Sequence, residues 1–270
     1  MIKLQDIDVR TLSSCAIATL VFACSATAAQ AGFDKATASV EHVDYSNGHG
    51  HRNVLNVETV GSFDATTLVL GAAGGKRDYG NDVEFSGSRF QGTAYHDWNP
   101  KLSTRTAVTL STDDPVFVNR EAVHDFNLKV IPNTVLTVGG RYSKYHGDVS
   151  VTGLSAGATY YLDRLSASYR YTGYRRSSGT NSHGNVVSLR LKDNSGTGST
   201  QLWLGKGTSV HEYDWMDELQ DGKLRSATFR RVQPLTQKWA LDASVGKVWY
   251  ETPATKFDGV AAKVGVTLNW

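Results

Sequence analysis

Apolar and polar residues alternate with a period of two along most of the chain after residue 32. The clearest run lies near the C-terminus, where one set of alternate positions holds Val260, Ala262, Val264, Val266, Leu268 and Trp270 and the other holds Ala261, Lys263, Gly265, Thr267 and Asn269. Side chains of a β-strand point to two faces in turn, so this pattern predicts strands with one apolar and one polar face. Similar runs occupy 136–143, 165–172, 187–192 and 239–249, and no stretch shows a helical period.

Turn signals separate these runs and divide the chain into fourteen predicted strands, with twelve as the alternative count. The strands are expected to begin near residues 36, 52, 65, 83, 102, 121, 134, 149, 165, 185, 199, 224, 237 and 257. Connections are short at Asn99-Pro100, Pro132-Asn133, Asp163-Arg164 and Pro234, and long at 111–120, 175–184 and 209–223. Short turns that alternate with longer loops are typical of an outer-membrane barrel. The fold class predicted is all-β, a transmembrane antiparallel up-and-down β-barrel.

Charged residues of both signs recur on the polar faces of many strands. They are Arg105, Asp125, Lys129, Arg141, Arg170, Arg190, Lys192, Asp242 and Lys263. The alternative to a membrane barrel is a soluble secreted sandwich, which turns its apolar faces inward. A water-filled barrel interior accounts better for mixed charge in one register of many strands. These nine residues are therefore the candidates for the lumen.

Aromatic residues stand near the ends of the apolar faces. They are Trp98, Tyr142, Tyr160, Tyr161, Trp239, Trp249 and Trp270. Amphipathic rings collect at bilayer interfaces, where one part of the ring is in contact with lipid and another with water. The barrel must also be closed, because an unpaired strand edge has no water to bond in hydrocarbon.

The first thirty residues read as a secretory signal peptide. Lys3 and Arg10 precede an apolar run over 15–24, which is followed by small residues. Cleavage fits after Ala28 or after Ala31, and Ala31 is favoured; lipidation at Cys24 is the third interpretation. The predicted domains are thus a signal peptide over 1–31 and a barrel over 32–270, exported to the outer membrane of a Gram-negative cell. Cleavage after Ala31 leaves a mature chain without cysteine, which excludes disulfides and thiol chemistry.

Composition by itself would suggest a soluble protein, because mean hydropathy is −0.32 and 40% of residues are hydrophobic. In a membrane barrel only every second residue faces lipid, so apolar and polar residues cancel in the average. No apolar run beyond the first thirty residues is long enough for a spanning helix. The formal charge of +2 gives no reason to expect a nucleic-acid partner.

A family resemblance is carried by 114–117, by Val138-Gly139-Gly140-Arg141-Tyr142-Ser143-Lys144-Tyr145, by 158–162 and by 165–171. These segments resemble the YaiO family of outer-membrane β-barrel proteins. The resemblance implies fold and location but no settled activity, so it supplies no catalytic residue and no cofactor. Among outer-membrane barrels generally, a terminal aromatic such as Trp270 is the signal read by the barrel-assembly machinery. That machinery, outer-membrane lipid and lipopolysaccharide are the partners expected.

Enzymatic chemistry has few candidates, since the chain contains neither G-x-S-x-G nor H-E-x-x-H. Asp113 and Asp114, with His146 or His124, could form a rim site, and the alternative function is an outer-membrane hydrolase (lipase, deacylase or omptin-like protease). Adjacent aspartates also arise simply in turns. His49-Gly50-His51 lacks a third metal ligand at fixed spacing, and the acidic segment 214–218 lacks the spacing of an EF-hand. No catalytic, cofactor or metal residue is predicted.

The function expected is therefore structural or that of a channel at the cell surface. Basic residues outnumber acidic ones on the polar faces, which favours a narrow channel with a weak preference for anions or a passage for sugars. Tyr145 and Tyr174 are candidates to stack on a saccharide. The alternative is a barrel whose interior is filled by its own paired charges.

Overall fold

The computed structural model describes residues 32–80, 82–208 and 222–270, which form a closed antiparallel barrel. Each strand pairs with its neighbours in the chain, and β1 pairs with β14 to close the circle. The strands are β1 Lys35–Tyr45, β2 His51–Phe63, β3 Thr66–Asp78, β4 Glu84–Asn99, β5 Leu102–Ser111, β6 Arg120–Ile131, β7 Thr134–Lys144, β8 Ser150–Leu162, β9 Leu165–Arg176, β10 Asn181–Lys192, β11 Ser199–Thr208, β12 Lys223–Pro234, β13 Trp239–Glu251 and β14 Lys256–Asn269. A 3₁₀ turn lies at His146–Asp148, and the described residues hold no helix long and apolar enough to cross a bilayer.

The predicted count of fourteen strands is confirmed, and every predicted start except one lies within two residues of the observed one. The exception is β10, which begins at Asn181 rather than near 185, so the predicted long loop over 175–184 is wrong. Backbone pairing of Asn181 with Arg175 leaves only 177–180 as the connection. Residues 175–184 include no apolar residue, so the alternation of apolar and polar positions could not reveal the strand here. The predicted signal peptide over 1–31 and most of the loop after β11 lie outside the described residues.

The two ends of the barrel differ. At one end, which we call the turn end, four connections contain two residues each, and Asp64, Asn133 and Asp163 in three of them adopt positive φ. Aspartate and asparagine tolerate this conformation, which lets the chain reverse tightly. The connections over 193–198 and 235–238 lie at the turn end too, and the connections that alternate with these six lie at the opposite end, the loop end. Short turns face the periplasm in outer-membrane barrels, so the predicted location would direct the loop end to the cell exterior.

Aromatic side chains border the outer face near both ends. Trp98, Tyr160 and Trp239 lie towards the turn end, and Trp249 lies near the loop end. The prediction that Tyr161 belongs to this group is wrong, because its register partner is the inward-facing Ser166. Tyr160 and Tyr161 are successive residues of one strand, so they cannot share a face.

Polar contacts fix the chain at the turn end. The backbone N–H of Trp270 donates to the Asp34 carbonyl at 3.2 Å, which joins the two ends of the barrel sequence. Arg231 donates to both oxygens of Asp193 at 2.7 and 2.6 Å, linking β12 to the turn before β11. These hydrogen bonds hold the pKa of Asp193 below its ordinary value. The carboxylate therefore stabilises this turn above its unfolded-state pKa, and the contribution is lost as pH falls through the lowered one.

Candidate functional site: the barrel lumen

Hydrogen bonds that cross the barrel identify its inner face. Asp125 on β6 accepts from Arg105 on adjacent β5 and from Arg170 on β9, three strands away. A side chain that reaches a distant strand must point inward. Strand register and ion pairs extend this assignment around the circle. All the charged residues predicted from the polar faces lie on the inner side: Arg105, Asp125, Lys129, Arg141, Arg170, Arg190, Lys192, Asp242 and Lys263.

Asp125 is the central carboxylate of the β5–β9 wall. Its side chain is only 4% exposed, and its two oxygens lie 3.2 Å from Arg105 Nη1 and 2.7 Å from Arg170 Nη2. Charge-assisted bonds to both oxygens compensate for the loss of hydration. A side chain at Gly139 would overlap the Asp125 carboxylate, so the glycine is what makes room for it. The triad connects three strands through the lumen.

A second charged group lies nearer the turn end. Arg230 Nε donates to Asp242 Oδ1 at 2.8 Å, and Arg230 Nη2 bonds the other oxygen. This pair lines a cavity of about 640 Å³ together with Arg190 and Lys263. Within the described ranges, neither Arg190 nor Lys263 has a carboxylate oxygen within 4 Å. Among the described residues, the cavity is therefore lined by three cations without an ion-pair partner, Lys35, Arg190 and Lys263, and by one such carboxylate, Glu58.

A third charged group lies nearer the loop end. Arg141 forms an ion pair with Glu121, and Arg141 Nε donates to Ser143 Oγ at 2.9 Å. Arg89 lines the same cavity of about 240 Å³, where its Nη2 donates to Asn56 Oδ1 at 3.3 Å. In the part of the chain that the structure describes, Arg89 has no carboxylate partner, and its Nε is buried without an acceptor.

Positive charge predominates on the inner face away from the rims. Among the described strands, this face carries Arg52, Arg77, Arg89, Arg105, Arg141, Arg170, Arg190, Arg230 and Lys263 against Glu41, Glu58, Glu121, Asp125 and Asp242. A net positive charge inside low-dielectric walls gives the lumen a positive electric potential.

The β5–β6 connection, residues 112–119, folds into the mouth of the barrel. Val116 is 3% exposed, Phe117 lies under the Arg89 guanidinium with 5.0 Å from its carbon to the ring centre, and Tyr79 Oη donates to the Pro115 carbonyl at 2.9 Å. Asp114 accepts a bond from the Val116 N–H at 2.9 Å and another from Thr112. The sequence predicted a long polar loop here, and the structure turns it inward. We call it the inner loop.

An aromatic cluster fills another part of the mouth. It consists of Val43, Tyr45, Tyr79, Tyr250 and Phe257, all buried. The Arg77 guanidinium lies between two of the rings, 3.9 Å from the centre of Tyr45 and 4.0 Å from that of Tyr79. Its Nη1 donates to the His49 carbonyl at 2.9 Å. The inner loop and this cluster together narrow the loop end.

The opposite wall, β9 to β13, carries small residues near the loop end. Gly184, Gly205, Gly207 and Ser226 there border a cavity of about 530 Å³, with Tyr174 and Tyr145 at its edge. These two tyrosines are the ones that the sequence suggested for saccharide stacking. Open space thus lies beside the small residues of this wall near the loop end, whereas Arg170, Arg190 and Arg230 occupy the same strands further towards the turn end.

The remaining predicted charges lie at the turn-end rim. Lys129 Nζ is 3.7 Å from Asp97 Oδ1, with both groups well exposed, and Lys192 is the last residue of β10. Whether these residues border a conducting path stays a prediction.

Several inner residues were missed by the sequence pattern. Arg230 and Arg231 are successive residues of one strand, and only one of them can point inward. The sequence alone therefore did not show which of the two arginines faces the lumen. Trp203 was also missed, although Gln201, Trp203 and Gly205 alternate with Leu202 and Leu204. It is paired with Ser188 near the middle of β11 and lines a cavity of about 320 Å³ with Arg170 and Ser168. Among the described tryptophans it is the inward-facing one.

The structure brings together only Asp113 and His146 of the residues proposed for a hydrolase. Asp114 is buried in its turn, whereas Asp113 is exposed and lies 3.3 Å from His146 Nδ1. His124 is on the outer face, where Thr106 bonds its ring at 2.8 Å. The turn interpretation of Asp114 therefore accounts for its position. Within the three described ranges no group of three potential metal ligands occurs, and the acidic segment 214–218 lies outside them.

Comparisons with known proteins agree with this architecture. The model of the YaiO membrane β-barrel domain matches residues 34–214. A solved structure described as the CymD monoaromatic hydrocarbon channel is 7% identical, with 88% of each chain covered and a TM-score of 0.55. Another, described as a bacterial polysaccharide outer membrane secretin, is 10% identical, covers 87% of this chain and 98% of its own, and has a TM-score of 0.53. At these identities the similarity shows the fold alone.

Proposed function

We propose that this protein, which belongs to the YaiO family of membrane β-barrels, is a narrow channel of the outer membrane that prefers anions. The observation that supports the proposal is the excess of inner cations away from the rims, four of which (Arg77, Arg89, Arg190 and Lys263) have no carboxylate partner among the described residues. Arg77 is held between two aromatic rings, and the other three line the cavities of the lumen. If side chains filled the lumen and left no path for water, its charges would be expected to form ion pairs, because an unpaired charge in a dry interior is costly. Unpaired cations are expected where water and mobile anions are present.

The size of the barrel is compatible with this function. Eight strands enclose an interior that side chains fill, and sixteen leave an open aqueous channel. Fourteen strands lie between these cases, and the inner loop and aromatic cluster reduce the remaining width at the loop end. A low conductance with a charge-dependent selectivity is the result that we expect.

Replacing Arg190 with glutamine tests the proposal. In planar bilayers under a KCl gradient, the reversal potential of the unmodified protein should be shifted towards the equilibrium potential of chloride. Arg190→Gln should lower the chloride-to-potassium permeability ratio by roughly twofold or more, because it removes an unpaired cation from the lumen. Arg225→Gln removes the same charge from the outer face and should leave the ratio unchanged. A preference for potassium, or no openings above background, would reject the channel proposal.

A second candidate function, passage of saccharides, is favoured by Trp203. An aromatic ring in the lumen, near the Arg170 guanidinium, offers a surface for a sugar ring and a donor for its hydroxyls. The similarity to a polysaccharide secretin is one of fold and gives the idea no further support.

Maltohexaose added to an open channel tests this candidate. We expect transient interruptions of the current whose dwell time falls roughly fivefold or more in Trp203→Ala, because stacking on an aromatic ring contributes about 1 kcal/mol or more. Trp203→Phe keeps a ring and should retain much of the dwell time. If maltohexaose causes no interruptions in the unmodified channel, the saccharide function is rejected and the anion function is unaffected.

A further inference from the structure

Cations also collect on the outer face of the barrel, just below the loop end. Seven of them lie on strands β6 to β13, each among the five residues of its strand nearest that end; we call them the outer cationic arc, and they are Arg120, Lys144, Arg175, Lys206, Lys223, Arg225 and Lys247. Among the described residues, Glu251, the register partner of Lys223, is the acidic residue at the corresponding outer positions of these strands. On the remaining strands, the corresponding positions are acidic or mixed, including Asp44, Asp78 and Glu84. The arc therefore gives one side of the barrel a positive rim towards lipid.

Two pairs of these cations are opposed directly across neighbouring strands. Lys206 on β11 is the register partner of Arg225 on β12, and Arg120 on β6 is that of Lys144 on β7. Opposed side chains of an antiparallel pair begin about 5 Å apart, and like charges in this position destabilise the sheet. Lys144 is compensated by Asp148 at 2.8 Å. Within the described residues, Lys206 and Arg225 have no carboxylate within 4 Å.

The surroundings of Lys206 and Arg225 are those of a lipid headgroup region. Leu204 and Phe229, two and four residues further towards the membrane centre, are exposed on the outer face. Trp249, the register partner of Arg225, marks the interface on β13. Lys247 lies beside it, paired with Asp258 at 2.8 Å. Two uncompensated cations thus stand directly above an apolar surface.

We propose that Lys206 and Arg225 bind a phosphate group of a phosphorylated lipid in the outer leaflet. A phosphate between the two side chains would convert their repulsion into two charge-assisted hydrogen bonds. The acyl chains of the same lipid would cover Leu204 and Phe229. Because the predicted location would direct the loop end to the cell exterior, the lipid belongs to the outer leaflet. This site lies outside the lumen and does not depend on the channel proposal.

The test measures binding of lipid A to the full barrel in a zwitterionic detergent. Fluorescent lipid A with both phosphates is titrated and followed by anisotropy, with phosphatase-treated lipid A and inorganic phosphate as competitors. Each cation near a membrane surface attracts an anionic headgroup, so the loss of both in Lys206→Gln/Arg225→Gln should weaken binding by roughly tenfold or more. Lys206→Arg/Arg225→Lys keeps both charges and should bind normally. Lys101→Gln/Lys238→Gln removes two cations at the turn end and should also bind normally.

The outcomes separate the lipid from other sources of phosphate. Competition by phosphorylated lipid A, but not by millimolar inorganic phosphate or by the dephosphorylated lipid, supports the proposal. Equal binding of dephosphorylated lipid, full competition by inorganic phosphate, or an unchanged affinity in Lys206→Gln/Arg225→Gln overturns it. A misfolded variant is recognised by its migration on unheated gels. In lipid-free detergent the glutamine variant should unfold at the same or a higher temperature, since it has lost a repulsive pair.

Discussion

Shortening the inner loop is expected to raise the single-channel conductance by roughly twofold or more. The change replaces residues 113–118 with Gly-Ser-Gly-Ser, which still connects β5 to β6. It removes Val116 and Phe117 from the lumen, where they pack against the β3–β4 wall. The current through a narrow pore is limited by its tightest section, so removing a constriction increases it. Conductance is measured in planar bilayers at fixed KCl concentration.

The control for this change is Asp113→Asn, in the same loop. Asp113 is exposed and, among the described residues, its side chain contacts His146 at the surface, so the variant should keep the original conductance. A shortened loop with unchanged conductance would mean that the narrowest section lies elsewhere, for example at the triad formed by Asp125, Arg105 and Arg170. The aromatic cluster is retained in both variants, so its contribution to the constriction is constant.

Replacing Asp125 with asparagine is expected to have the largest effect on stability. The substitution conserves shape but leaves Arg105 and Arg170 facing each other across the lumen without a counter-ion. Removing one partner of a buried ion pair costs about 3–5 kcal/mol, and the partial exposure of both arginines reduces this to about 2 kcal/mol. Urea unfolding in detergent measures the loss. The freed arginines should also increase the preference for chloride.

Two variants make this result specific. Asp97→Asn removes a carboxylate from the exposed pair with Lys129 and should cost less than about 0.5 kcal/mol. Asp125→Asn/Arg170→Gln removes one of the two unpaired cations and should recover part of the lost stability. If Asp125→Asn is no less stable than Asp97→Asn, the triad does not hold the wall together.

Much of the fold could be predicted because a barrel strand that separates lipid from water carries its two environments in alternate residues. Val260 to Trp270 show this directly, and so do Leu165 to Tyr171. Where that contrast is absent, the prediction was wrong: residues 175–184 have no apolar member, and backbone pairing alone extends β10 to Asn181. The prediction for Tyr161 was wrong for a related reason, because residue type alone does not show whether a side chain faces lipid or the lumen.

The strand count, the two faces and the excess of basic residues on the polar face could be predicted, because these features depend on local alternation. Which charges meet depends instead on the closed barrel. Asp125 lies forty-five residues from Arg170, and closure of the barrel brings them to 2.7 Å. The inward turn of the inner loop likewise depends on contacts with Tyr79 and Arg89, which belong to other strands. Alternation specifies a face, whereas pairing and constriction depend on register and curvature, which arise only when all fourteen strands close.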